Sequence, residues 1–113
     1  MFDDLTQRVV DFRDARDWKQ YHSPRNLAAS VSIEAGELLE VFQWSSDSTL
    51  ADDVAARRGD IERELADIVI YCVLTAHETG VDLEAAINAK LAENDTKYPQ
   101  HKARGSRTKY TEL

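Results

Sequence analysis

Cysteine occurs once in this 113-residue chain, proline twice and glycine four times. A single cysteine, Cys72, cannot close an intrachain disulfide, and with only three histidines it excludes a zinc cluster of the usual ligand set. Long hydrophobic runs are also missing. The longest, Ile68 to Leu74, is far too short to span a bilayer. The start, Met1-Phe2-Asp3-Asp4, is acidic where a secretory leader would be basic, so the expected location is cytoplasmic, with no membrane partner. Positive charge is scarce over most of the chain: before Lys97 there are 20 acids and 9 bases. A net charge of −7 argues against nucleic acid as a partner. The few bases gather late. Lys97, Lys102, Arg104, Arg107 and Lys109 face one acid, Glu112, across residues 97–113, which are expected to form a basic, irregular tail.

What the chain does have is helical periodicity. With 42% hydrophobic and 31% charged residues it suits helices carrying one apolar stripe each, within a single domain over 1–113. Phe2, Leu5, Val9 and Phe12 predict a first amphipathic helix ending near Trp18. Ser23-Pro24 is a helix start, and a second helix should run to about Gln43. A short piece from Leu50 to Arg58 is then interrupted at Gly59. The third long helix covers about Asp60 to Thr79, with Gly80 as its stop, and Asp82 caps a fourth that ends near Lys97. The β-branched run Ile68–Leu74 competes as a strand, but its flanks lack turn residues, so it reads as a central helix covered on all sides. The expected fold is all-α and four-helix bundle-like. So small a core would gain from self-association into a homodimer or homotetramer.

Four acids point the wrong way for a solvated face. At about 100° per residue, Leu27, Val31, Leu38 and Val41 fall within about 60° of Glu34, and Glu37 lies about 60° to one side. On the third helix Glu64 and Asp67 are likewise three apart, with Tyr71 and Leu74 continuing their side. Two antiparallel helices would bring Glu34, Glu37, Glu64 and Asp67 together. A lone inward carboxylate tends to take up a proton, whereas several converging carboxylates are tolerable around cations. Oxygen-only ligands favour Mg2+, with Mn2+ as the second choice. The competing reading pairs these acids with arginines such as Arg25 and Arg63 in a non-catalytic oligomerisation module. No Glu-x-x-His pair, P-loop or Gly-x-Gly-x-x-Gly is present.

Glu34-Ala-Gly-Glu37, followed after 26 residues by Glu64-Leu-Ala-Asp67, resembles the signature of MazG-like all-α NTP pyrophosphatases. Arg16-Asp17-Trp18, His22-Ser-Pro-Arg-Asn-Leu27, Val41-Phe-Gln-Trp44, Tyr98-Pro99 and Lys109-Tyr-Thr-Glu-Leu113 look like the dCTP pyrophosphatase branch. The resemblance implies that Glu34, Glu37, Glu64 and Asp67 hold magnesium, and that Glu34 or Glu37 orients or deprotonates the attacking water. A magnesium- or carboxylate-activated water would attack the α-phosphorus of a nucleoside triphosphate, dCTP or a modified dCTP, releasing pyrophosphate. It further implies a base platform at Trp44, a pocket wall at Trp18, a sugar or phosphate contact from Tyr71, and phosphate, metal or sugar contacts from Lys90 and Asn94, with Lys97 a further phosphate candidate. His22 is expected to cap or pack the Trp18 region. Ile33 stands where many relatives carry an acid and the dCTP branch has glycine, which leaves the nucleotide preference open, another superfamily pyrophosphatase included.

Overall fold

The computed structural model describes residues 2–113, and every regular element among them is helical. Those residues form two compact units, one ending at Val81 and the other running from Asp82 to Leu113. The all-α class expected from the periodicity is borne out.

In the first unit α1 (Phe2–Asp14), α2 (Pro24–Val41), α3 (Leu50–Ala56) and α4 (Arg58–Thr79) pack together. α1 stops at Asp14, four residues before the expected end at Trp18. The reason lies in the next turn: Asp17 takes a left-handed conformation (φ 53°), which no α-helix can continue through. A 3-10 turn, Lys19–Tyr21, then leads to α2. Ser23 is extended, its hydroxyl accepts the N–H of Asn26 at 3.2 Å, and Pro24 opens the helix, as the dipeptide foretold. α2 ends at Val41, two residues early. The break expected at Gly59 falls instead at Arg57, and Gly59 sits inside the first turn of α4. There Arg57 donates to the Val41 carbonyl at 3.4 Å and to Asp60 at 2.9 Å, tying the end of α2 to the start of α4. Gly80, at φ 72°, terminates α4, and the Val81 N–H returns to the Ala76 carbonyl at 2.9 Å.

Val10 of α1, Leu27 and Val41 of α2, and Val73, Leu74 and Ala76 of α4 make the buried apolar core. It is as thin as the chain length suggests. The run Ile68–Leu74 is helical, but the chain does not cover it on every side: Val69 and Ile70 are 43% and 39% exposed. The central helix therefore keeps an apolar face open, contrary to the expectation of full enclosure.

The second unit holds α5 (Leu83–Lys97) and α6 (Gln100–Ala103). Asp82 caps α5 by accepting the Ala85 N–H at 3.0 Å. The stretch expected to be irregular contains α6 and a 3-10 turn, Tyr110–Glu112. Tyr110 meets Tyr98 edge-on at 5.8 Å, and the Lys97 ammonium lies 4.8 Å from the Tyr110 ring centre.

Candidate metal and nucleotide site

Three contacts set the direction of α2 against α4. Val41, at the end of α2, meets Arg57; Glu34 and Glu37 meet Glu64; and His22, just before α2, lines a cleft with Tyr71 and Leu74. The residue numbers fall on one helix as they rise on the other, so the two run antiparallel. One carboxylate oxygen from each of Glu34, Glu37 and Glu64 lies within 4.8 Å of the other two. The Oε2 atoms of Glu34 and Glu64 are buried with no hydrogen-bond partner among the described residues. Of the arginines proposed as partners, Arg63 pairs with Asp60 on its own helix and Arg25 is exposed.

The crowding shows in the protonation. Loss of hydration, then the neighbouring carboxyls of Glu37, Asp67 and Glu64, push Glu34 up to about 7. Glu64 is raised for the same kinds of reason, desolvation first and Glu37 next. Two unpartnered oxygens and three converging carboxylates fit a hard divalent cation, which would supply the positive charge the protein omits. Asp67 is not one of the three. It stands close enough to raise both Glu34 and Glu64, and it also lines the neighbouring cleft.

That cleft, about 320 Å³, lies along α1 and α4 and is lined by Val9, Phe12, Arg13, Trp18, His22, Asp67, Ile70, Tyr71 and Leu74. Its walls are largely apolar and aromatic, with the acid Asp67 among them, a form that suits a flat ring with a polar edge. Trp18 packs edge-on against Phe12 at 5.9 Å, and the Arg16 guanidinium lies 3.7 Å from the Phe12 ring centre. His22 has a buried, unpartnered Nδ1; desolvation and then the positive charge of Arg13 lower its proton affinity, against the opposing pull of Glu78.

Of the residues singled out from sequence, the structure therefore brings Trp18, Asp67 and Tyr71 together, beside the cluster of Glu34, Glu37 and Glu64. Trp44 is not with them. It follows the far end of α2, is 89% exposed, and borders a separate hollow of about 150 Å³ with Glu40, Val41, Ser45, Asp53 and Arg57. Trp18 precedes α2 and Trp44 follows it, so the length of an 18-residue helix, roughly 27 Å, separates their attachment points. Lys90, Asn94 and Lys97 lie on α5, where Lys90 and Lys97 reach Glu93 at 3.4 and 2.8 Å. Sequence reasoning missed Arg13 as a cleft residue. The signal was present: Arg13 falls about 40° from Val9 on the apolar side of α1, an odd place for a charge.

Two helices thus bring together carboxylates that could hold a cation, beside an aromatic cleft. The MazG-like family profile matches residues 29–113. The rat and human proteins named dCTP pyrophosphatase 1 are each 40% identical to this chain over 98% of its length. The chain spans 66% of the length of those relatives. A pyrophosphatase from Archaeoglobus fulgidus, known from its crystal structure, is 39% identical and superposes with a TM-score of 0.82, over 86% of this chain and 91% of that one. The chain belongs to the MazG-like family.

Proposed function

We propose that this protein hydrolyses a nucleoside triphosphate, dCTP or a modified dCTP, to the monophosphate and pyrophosphate. The observation that carries the reading is the convergence of Glu34, Glu37 and Glu64, with two buried oxygens left unpaired, next to the Trp18 cleft. The names of the relatives, dCTP pyrophosphatase and pyrophosphatase, support the reaction class.

In this reading Glu34, Glu37 and Glu64 are the metal ligands, and Asp67 completes the set from the cleft side. Magnesium, when bound, neutralises phosphate charge and makes water a better nucleophile at neutral pH. Glu34 or Glu37 orients the attacking water and accepts its proton as oxygen bonds to the α-phosphorus and pyrophosphate departs. The Trp18 ring and the Phe12 edge stack on the base, and the Tyr71 hydroxyl serves the sugar or a phosphate. Phosphate contacts from Lys90, Asn94 and Lys97 rest on the sequence resemblance alone. Trp44, with most of its ring in solvent, is assigned no contact within one chain.

The protein works as a homodimer or homotetramer in this reading. Ile33 (61% exposed) and Leu39 (71%) on α2 and Val69 on α4 are apolar side chains left in solvent that a second copy would cover. Sedimentation equilibrium checks this directly: a monomer at micromolar concentration refutes it.

Release of inorganic pyrophosphate from a panel of dCTP, 5-methyl-dCTP, dUTP and dTTP, with and without magnesium, tests the function. Orthophosphate as the first product would place the attack at another phosphorus and overturn the mechanism.

A further inference from the structure

The end of α1 carries a buried arginine with a part-buried partner on α4, to which the reaction above gives no role. Arg13 is 2% exposed. Its Nη1 donates to Oε1 of Glu78, near the end of α4, while Nε and Nη2 both reach Asp14 Oδ1 at 3.0 Å. The guanidinium is thus held on two sides in a fixed orientation.

The backbone of the same residue holds something else. The Arg13 carbonyl accepts the N–H of Arg16 at 3.1 Å and the N–H of Trp18 at 3.2 Å. Between them the chain reverses through the left-handed Asp17. The turn caps the C-terminal end of α1: the Asp17 N–H returns to the Asp14 carbonyl at 3.0 Å, and the Trp18 N–H is anchored at Arg13. One residue therefore grips the Trp18 turn with its carbonyl and α4 with its side chain.

Stability alone is a poor account of this pair. Burying charges costs desolvation, and an apolar pair of similar volume commonly serves a fold as well or better. What a forked ion pair adds is direction. Resting on the reading that the cleft receives the nucleotide, we propose that Arg13, through Glu78, is a positioning residue: it sets the Trp18 wall at a fixed offset from Asp67 and Tyr71 on α4. The nucleotide is then clasped between two walls whose spacing is specified by a bond rather than by soft apolar packing.

The deciding variant is Arg13→Met/Glu78→Leu, which keeps volume and removes both charges. Its melting temperature should stay within about 5 °C of the parent. Its KM for the nucleotide should rise on the order of tenfold while kcat stays within about twofold, the signature of lost placement rather than lost chemistry. A second readout needs no activity. In a Trp44→Phe background Trp18 is the only tryptophan. Acrylamide quenching of its fluorescence should increase about twofold in the double variant as the turn loosens. Should the double variant fail to fold, Arg13→Lys keeps the charge but loses the fork, and should show the same two effects in smaller measure. Unchanged quenching in a folded variant overturns the proposal, and so does an unchanged KM. A wild-type protein that releases no pyrophosphate from any nucleotide refutes the functional reading instead, and the quenching result then decides the positioning role by itself.

Discussion

Replacing Glu34 by glutamine should make the metal-free protein more stable and the metal-loaded protein less so. Glutamine keeps the shape of the side chain and removes its charge. In the folded chain Glu34 holds its proton up to about 7, against an ordinary 4.5. A carboxyl raised in the folded state contributes stability that is fully present below 4.5 and is lost as the pH climbs through 7. At about 1.4 kcal/mol per pH unit the ceiling is roughly 3 kcal/mol, and solvent reaching exposed Glu37 cuts this to about 1–2 kcal/mol. In chelator at pH 8, Glu34→Gln should therefore melt roughly 4–8 °C above wild type. At pH 4.5 the two should nearly coincide, because wild type is then protonated as well. Magnesium or manganese reverses the order. At a hundred times its dissociation constant the cation stabilises wild type by about 2.7 kcal/mol, and the variant, short of a ligand, gains little. Circular dichroism melts at four pH values, with chelator and with excess metal, measure all of this. A variant that melts below wild type in chelator at pH 8, and still responds fully to metal, would refute the account of these carboxylates.

Glu37→Gln should lower pyrophosphate release by at least about a hundredfold with the helical spectrum intact, because it removes a ligand and a candidate base together. Cation binding should release about half a proton from Glu34 at pH 7, approaching one about a unit lower, and weaken as the pH falls, since Glu34 must lose its proton to coordinate; calorimetry in buffers of different ionisation enthalpy counts that proton. Leu27, 1% exposed at the centre of the core, should cost about 2–5 kcal/mol on truncation to alanine, read as a shift in the urea midpoint. Gly80→Ala, at φ 72°, should cost about 1 kcal/mol by the same measurement, with activity at permissive temperature unchanged.

Local chemistry made much of this protein legible before its coordinates. Ser23-Pro24, Asp82 and Gly80 act within a turn or two of themselves, so their caps and stop appear where the sequence put them. The inward direction of Glu34 followed from helical period, with Glu37 exposed beside it, and the antiparallel partner helix needed only Glu64 to bring a third carboxylate to them. Where the outcome depended on a neighbour, the linear pattern was silent or misleading. The left-handed Asp17 ends α1 early, and its residue type tolerates that conformation without announcing it. Asp67 shares the acidic motif, yet in the packed molecule it lines the cleft and is not one of the three converging carboxylates. Trp18 and Trp44 look alike in sequence, but α2 places one in the cleft and the other in solvent. Ile68–Leu74 reads as fully enclosed because hydrophobicity reports a need for cover without saying which chain supplies it. Arg13 is the sharpest case: its partner Glu78 is 65 positions away, and only folding makes a buried charge on α1 and one on α4 into a single bond. Periodicity and capping are short-range and survive in a string of letters, whereas pairing across helices belongs to the packed molecule.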